Sequence, residues 1–123
     1  MRIKIIDAVV KSSDRLRTND KYIRESLRPD TEIDYAHMSK GFPSVKCDLH
    51  AAFNKPQIIA SAIQAERDGF DGVFINCFDD PGVYECREVL SIPVFGGYVP
   101  AMMTALSLSL IHISEPTRRV VIS

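Results

Sequence analysis

The sequence predicts a doubly wound α/β fold built on a parallel sheet, and three observations carry that prediction. Short β-branched runs alternate with segments of helical spacing in the order β-α-β-α-β-α-β-α. FDGVFIN, Phe70 to Asn76, is too apolar to have a wet face, as expected of a parallel strand covered on both sides. With 123 residues, 46% hydrophobic and 25% charged, the chain has the composition of one soluble globular domain with a modest core.

RIKIIDAVV, Arg2 to Val10, is rich in β-branched residues and reads as a buried first strand. Thr18, Asn19 and Asp20 offer N-cap chemistry for a helix over roughly Lys21 to Leu27. Tyr22, Ile23 and Leu27 share its apolar side, and Arg28-Pro29-Asp30 stops it. TEIDYAHM, Thr31 to Met38, alternates as a second strand and runs into the loop SKGFPS. Ser44 to Phe53 then reads as a helix with Val45, Leu49, Ala52 and Phe53 on one side. Pro56 suits the first turn of a new helix, in which Ile58, Ile59, Ala62, Ile63 and Ala65 form a stripe up to Arg67. Asp68-Gly69 ends it as a glycine C-cap. After the FDGVFIN strand, Asp80 is placed to cap a short helix from Pro81 to about Leu90. IPVFGG is a fourth strand, and Pro100 to Leu106 begins another helix. Met102 and Met103 look like core filler.

Fifteen basic residues against sixteen acidic ones, scattered rather than striped, argue against a nucleic-acid partner or an anionic membrane surface. No apolar run approaches a membrane span and no signal-peptide core opens the chain, so a cytoplasmic protein is expected. Three cysteines, Cys47, Cys77 and Cys86, fit reduced thiols better than an oxidised framework. Cys47 and His50 are three apart, but no second Cys/His pair completes a zinc set, and no metal is expected. His37 and His50 have no evident acid–base partner and read as satisfied or solvated.

In a doubly wound sheet, functional groups gather at the carboxyl ends of the strands. Cys77 lies at such an end, in FINCFDDPG, as do the segment after Val10, the SKGFPS loop and Gly96-Gly97. A thiol at a strand end is equally a small buried hydrophobe. A helix N-terminus just after Cys77 would favour its thiolate, whereas Asp79 and Asp80 would oppose it. Cys47 and Cys86 both read as helix residues, Cys86 on a packed face. Asp79 suits a turn or cap as well as a ligand contact. Gly82 is placed to open a helix. Gly96 and Gly97 either let backbone amides approach a ligand or mark the end of a strand.

Asp68 to Gly72, NCFDDPG over Asn76 to Gly82, REVLSIPVFGG over Arg87 to Gly97, and Pro100 to Leu108 together resemble the aspartate/glutamate/hydantoin racemase superfamily. RPDTEID fits the approach to the second strand, and KGFPS resembles the family's Lys-Gly-Pro-Ala-Ser loop more loosely. The resemblance implies a cofactor-independent racemase of two pseudo-symmetric α/β halves, each presenting one cysteine to a small amino acid or hydantoin-like substrate. Inversion removes a proton from one face of a carbon and returns one to the other, which a single rigid base cannot do. Cys77 matches the first of those cysteines, and Ser44, Asn76, Phe78, Asp79, Gly96 and Gly97 are the implied substrate-binding set. A homo-oligomeric parent is compatible with the resemblance.

Departures are equally specific. The family's Asn-Pro-Asn-Thr-like turn after the first strand is replaced by IIDAVVKSS, with Asp7 and Ala8 at its start. Leu49 stands where a substrate-touching tyrosine is expected, in VKCDLHAAF. The opposing cysteine, expected in a Gly-Cys turn further on, is absent. LSLIHISEPTR, Leu108 to Arg118, agrees residue for residue with a one-frame translation of a transposase-type sequencing-library adapter. The chain is therefore expected to divide into a native α/β half over residues 1–107 and a non-native tail over 108–123, truncated and by itself inactive. The remaining readings are a non-catalytic ligand-binding α/β module and a lyase or isomerase of the same superfamily.

Overall fold

The computed structural model describes residues 1–10 and 13–108, with backbone alone over 13–19. The strands are β1 (Arg2–Val10), β2 (Glu32–Met38), β3 (Gly72–Asn76) and β4 (Val94–Gly96), and the helices are α1 (Ser13–Ser26), α2 (Asp48–Arg67), α3 (Val83–Val89) and α4 (Tyr98–Ser107). The strands form one sheet in the order β2-β1-β3-β4, every pair parallel. Strands that cannot be joined by hairpins need crossover helices, which is why the sequence alternates as it does.

One face of the sheet carries the main core. Ile6, Ala8, Val73, Ile75 and Val94 meet Ile58, Ala62 and Ala65 of α2 and Val83 and Cys86 of α3. Ile6, Ile58 and Ile75 are fully buried, each contributing about 1.5–3 kcal/mol relative to exposure. On the opposite face, Ile3, Ile5, Ile33, Phe74 and Phe95 line an apolar cavity of about 640 Å³, whose rim includes Tyr22, Ile23 and Leu27 of α1 and Pro100 of α4. Helices α2 and α3 cover the first face while α1 and α4 stand at the rim of the cavity on the second, and the doubly wound α/β fold stands.

Several elements differ from the sequence expectation. The first helix begins at Ser13, not Lys21, because Asp20 is interior to it. The Asp20 carboxylate accepts from Arg24 Nε one turn on, at 2.9 Å, and from the Tyr35 hydroxyl at 2.7 Å. These donors hold its carboxyl below the usual range, Arg24 foremost.

The two helices expected on either side of Pro56 are one helix, α2. An interior proline forfeits a hydrogen bond and crowds the preceding turn at about 3 kcal/mol. Burial of Asn54, Ile58, Ala62 and Ala65 along a single α2 face offsets that cost. Of the side proposed for its first turns, Val45 lies before the helix, while Leu49 and Phe53 are exposed. Cys47 is not a helix residue but the exposed N-cap position. Met103, expected as core filler, is exposed as well, and α4 buries no residue fully.

The glycine C-cap of α2 is present: Gly69 has φ +82°, and the Phe70 amide returns to Ala65 O at 3.1 Å. Among the described residues no helix is long and apolar enough to cross a membrane, and no group of three metal-ligating side chains assembles. The adapter-like stretch from Ser109 onward lies outside the described residues.

Candidate active site

The carboxyl edge of the sheet is built by four strand ends and the loops that leave them. Cys77 follows the last residue of β3 and is half-buried, with its side chain against the main core. Its carbonyl is a knot between two loops, accepting from Asp80 N at 3.2 Å and Gly97 N at 3.4 Å. The β3–α3 turn is thereby tied to the β4–α4 turn.

The helix expected immediately after Cys77 begins only at Val83, opened by Gly82 in the left-handed conformation (φ +81°) with no side-chain cap. Asp80 does not cap it. Its Oδ1 accepts from Tyr98 N at 3.0 Å and its Oδ2 from Val99 N at 3.3 Å, so it caps α4 instead. Asp80 itself has φ +50°, a left-handed conformation uncommon outside glycine and favoured for Asp by its short polar side chain. The glycine pair is explained by close approach. A Cβ on Gly96 would collide with Asp80 Oδ1, and one on Gly97 would press on Cys77 O at 3.2 Å.

These contacts decide the thiol's state. Burial raises the Cys77 thiol above the ordinary 9.0, the Asp79 backbone hydrogen bond draws it down, and the Asp79 and Asp80 charges raise it further. The nearby helix N-terminus that could have stabilised a thiolate is occupied by the Asp80 carboxylate. Cys77 therefore rests as the neutral thiol at neutral pH. Cys86, buried on α3 as expected, is pushed up to about 11 by burial and by Glu85.

Asn76, Asp79, Phe78, Gly96 and Gly97 join Cys77 at this edge. Asn76 donates its side-chain amide to Asp7 Oδ1 at 2.9 Å. Phe78 is exposed and sets its ring edge-on to Tyr98, centroids 5.2 Å apart. Asp79 is exposed and makes no side-chain hydrogen bond among the described residues. Ser44 lies in the loop that leaves β2, which is tied back to the end of β1 by the bond from Val10 N to Phe42 O.

That loop is held rigidly. Asn54, fully buried on α2, donates to Ala8 O at 2.9 Å and Phe42 O at 3.2 Å and accepts from Phe42 N at 2.9 Å. Gln57, one turn on, binds Ser39 N, Lys40 N and Lys40 O. Gly41 is required there, with φ +128° and its missing Cβ replaced by the Asn54 side chain. His50 accepts from Lys46 N at 3.3 Å and stacks on Phe42, a satisfied histidine as expected.

His37 is not partnerless. Its Nδ1 lies 2.9 Å from Asp7 Oδ2, and the Asp7 side chain is only 8% exposed. Asp7 Oδ2 is shut off from solvent and has no aligned hydrogen-bond partner among the described residues, and His37 Nδ1 lies beside it at 2.9 Å. His37, Asp7 and Asn76 thus form a polar row across β2, β1 and β3. The signal was in the sequence: each of the three strands carries a polar side chain near its carboxyl end. Their register, which no single strand discloses, brings them together: Asp7 pairs with Asn76, and Ile6 with Ala36.

The sequence model of the family described as Asp/Glu/Hydantoin racemase matches residues 12–122. A hydantoin racemase of Rhizobium meliloti is 34% identical over 80 residues, covering 61% of this chain and 33% of that protein. A hydantoin racemase of Pseudomonas sp. (strain NS671) is 30% identical over 73 residues, covering 59% and 29%. Among solved structures, the allantoin racemase from Klebsiella pneumoniae superposes with a TM-score of 0.79 at 28% identity, over 87% of this chain and 43% of that one. An allantoin racemase from Pseudomonas fluorescens shares the fold, with a TM-score of 0.67 at 22% identity over 78% and 40%. The chain spans about a third of the length of the hydantoin racemases it matches. On the family match over residues 12–122, the chain belongs to the Asp/Glu/hydantoin racemase family.

Proposed function

We propose that this chain supplies one half of the active site of a cofactor-independent racemase, acting on a carbon whose proton is acidified by a neighbouring carbonyl. The observation that carries this reading is Cys77, fixed at the carboxyl end of β3 by its bonds to Asp80 and Gly97. Likeness to hydantoin and allantoin racemases supports a cyclic ureide as substrate class.

Chemically, a thiolate on the opposing half takes the α-proton, and the electron pair moves into the adjacent carbonyl as an enolate. Cys77 Sγ–H then delivers its proton to the other face, and the thiolate left on Cys77 starts the reverse reaction. A thiol held protonated by burial suits the donor half of that exchange. Hydrogen-bond donors presented between the two halves would carry the enolate charge. Residues 1–107 constitute the first of two pseudo-symmetric halves in this reading, and the second thiol belongs to the other.

The test is racemisation of an optically pure 5-substituted hydantoin. This chain alone is expected to leave it unchanged. The protein encoded by the continuous gene is expected to racemise it, and Cys77→Ser in that protein to lower kcat by about 10²–10⁴-fold. Undiminished racemisation by the Cys77→Ser protein, or racemisation by this chain alone, would sink the two-thiol account. A second reading, a binding module without proton transfer, is favoured by one observation: the thiol is raised rather than lowered. Absence of a second strand-end cysteine from the continuous gene would select it.

A further inference from the structure

The Asp7–His37 pair has the construction of an acid–base dyad and lies at the same sheet edge as Cys77. Asp7 is held at Oδ1 by Asn76 Nδ2 at 2.9 Å, while its buried Oδ2, with no aligned hydrogen-bond partner among the described residues, lies 2.9 Å from His37 Nδ1. Asn76 is the residue before Cys77, so the clamp is one peptide from the thiol. The His37 side chain is 30% exposed, and its ring lies parallel to that of Tyr35, planes 4° apart with centroids at 6.2 Å. Tyr35 is fixed in turn by its hydroxyl bond to Asp20, and burial followed by that bond raises its phenol well above the usual value.

The backbone is irregular at this place. Ile6 pairs with Ala36 but Val10 with Met38, so Asp7, Ala8 and Val9 face His37 alone. Bulges of this kind re-aim side chains beside sites and end the ladder. Here the irregularity lies where the buried Asp7 carboxylate meets Nδ1 of the part-exposed His37 imidazole.

A histidine whose Nδ1–H is consumed by a carboxylate has a defined tautomer. When neutral, its Nε2 carries a lone pair and accepts a hydrogen bond. We propose that His37 Nδ1 carries the proton the orphaned Asp7 Oδ2 lacks, that His37 Nε2 is therefore the acceptor for a substrate N–H, and that Asp7 is the positioning residue that fixes this polarity. The inference rests on the racemase reading and deepens it: the half-site selects a ureide or imide N–H beside the reacting carbon. It would not hold a carboxylate at that point, because an acceptor facing an acceptor leaves both unpaired.

The experiment uses this chain as it is. Long-range ¹H–¹⁵N NMR of the imidazoles is expected to show His37 protonated at Nδ1, and Asp7→Asn to abolish that fixed tautomer. Titration with 5-methylhydantoin is expected to shift the His37 Nε2 resonance saturably. The 1,3,5-trimethyl analogue, which has no N–H, is expected to bind at least tenfold more weakly. His37→Phe should lose that discrimination and His37→Gln, which keeps an acceptor, should regain part of it. If Asp7→Asn fails to fold, the His37 variants, altered at a partly exposed side chain, decide.

Protonation at Nε2 alone, equal binding of the two hydantoins, absence of any saturable shift, or a His37 response to succinate in place of the hydantoin would each overturn the proposal. The complete protein separates the two ideas. Full activity in its Cys77→Ser variant rejects the racemase reading and leaves the NMR result standing. An inactive Cys77→Ser variant beside a His37→Phe variant of unchanged KM rejects the role of His37 and leaves the racemase reading standing.

Discussion

The carboxylate of Asp80 occupies the space that a side chain on Gly96 would need, and from there it caps the first turn of α4. One residue therefore links the turn behind the thiol to the strand end opposite it. The arrangement needs both partners: a carboxylate of this length and a strand residue with no Cβ.

Gly96→Ala is expected to displace Asp80 and destabilise the fold by about 1–3 kcal/mol, the usual range for overpacking. Asp80→Ala alone removes the cap and is expected to cost about 1 kcal/mol. With the carboxylate gone the alanine at 96 has room, so the double variant should be less destabilised than the two single losses together. Urea denaturation of the four proteins measures the cycle. Strict additivity would show that the collision is relieved by some other movement.

The three thiols should separate by rate of alkylation with iodoacetamide. Cys47 is exposed and is expected to react first. Cys77 is half-buried and raised above 9.0, so its rate at pH 7 should be low and climb as the pH passes 9. Cys86 is buried, with its thiol pushed up to about 11, and is expected to react last. The same shifts have a sign for stability. A thiol raised in the folded state favours folding below its unfolded value, and that contribution is lost as the pH rises through the folded value. Stability should therefore decline above pH 9 and decline less in Cys86→Ala, measured by thermal unfolding across that range. A Cys77 rate that has already levelled off by pH 7 would contradict the neutral-thiol assignment.

Most of the architecture is legible in local pattern. The apolar runs of β1 and β3 and the stripe of Ile58, Ala62 and Ala65 each declare a face that must be covered. Capping is not legible locally, because a cap is a tertiary relationship as often as a local one: Asp80 sits beside α3 in sequence but against α4 in space. The site divides along the same line. Cys77 stands out in its own segment, whereas the His37–Asp7–Asn76 row exists only through strand order and register. Asn54 was invisible for a related reason, since a polar residue on an apolar helix face signals a partner without naming it. Pro56 misled in the opposite direction, as a strong local breaker overridden by the burial on both sides of it.

That override can be measured. Pro56 is exposed and interior to α2, and it cannot donate the amide hydrogen bond that would reach the Ala52 carbonyl. Pro56→Ala restores the donor and removes the ring from the preceding turn, while loosening the unfolded chain by roughly 0.4–1 kcal/mol. Set against about 3 kcal/mol of helix propensity, the net expectation is a gain of about 2–2.6 kcal/mol, seen as a rise of several degrees in Tm. The gain depends on Asn54 and Ile58 keeping their places on either side of the altered turn. Asn54 holds Phe42 and Ala8, and Ile58 sits in the core, so a change in helix direction at residue 56 would pull against both. Amide exchange at Phe42 distinguishes the outcomes. Unchanged protection with a higher Tm means the proline is only a local cost. Faster exchange with no gain in Tm means that the proline sets the helix direction that lets Asn54 reach the loop beside the active edge.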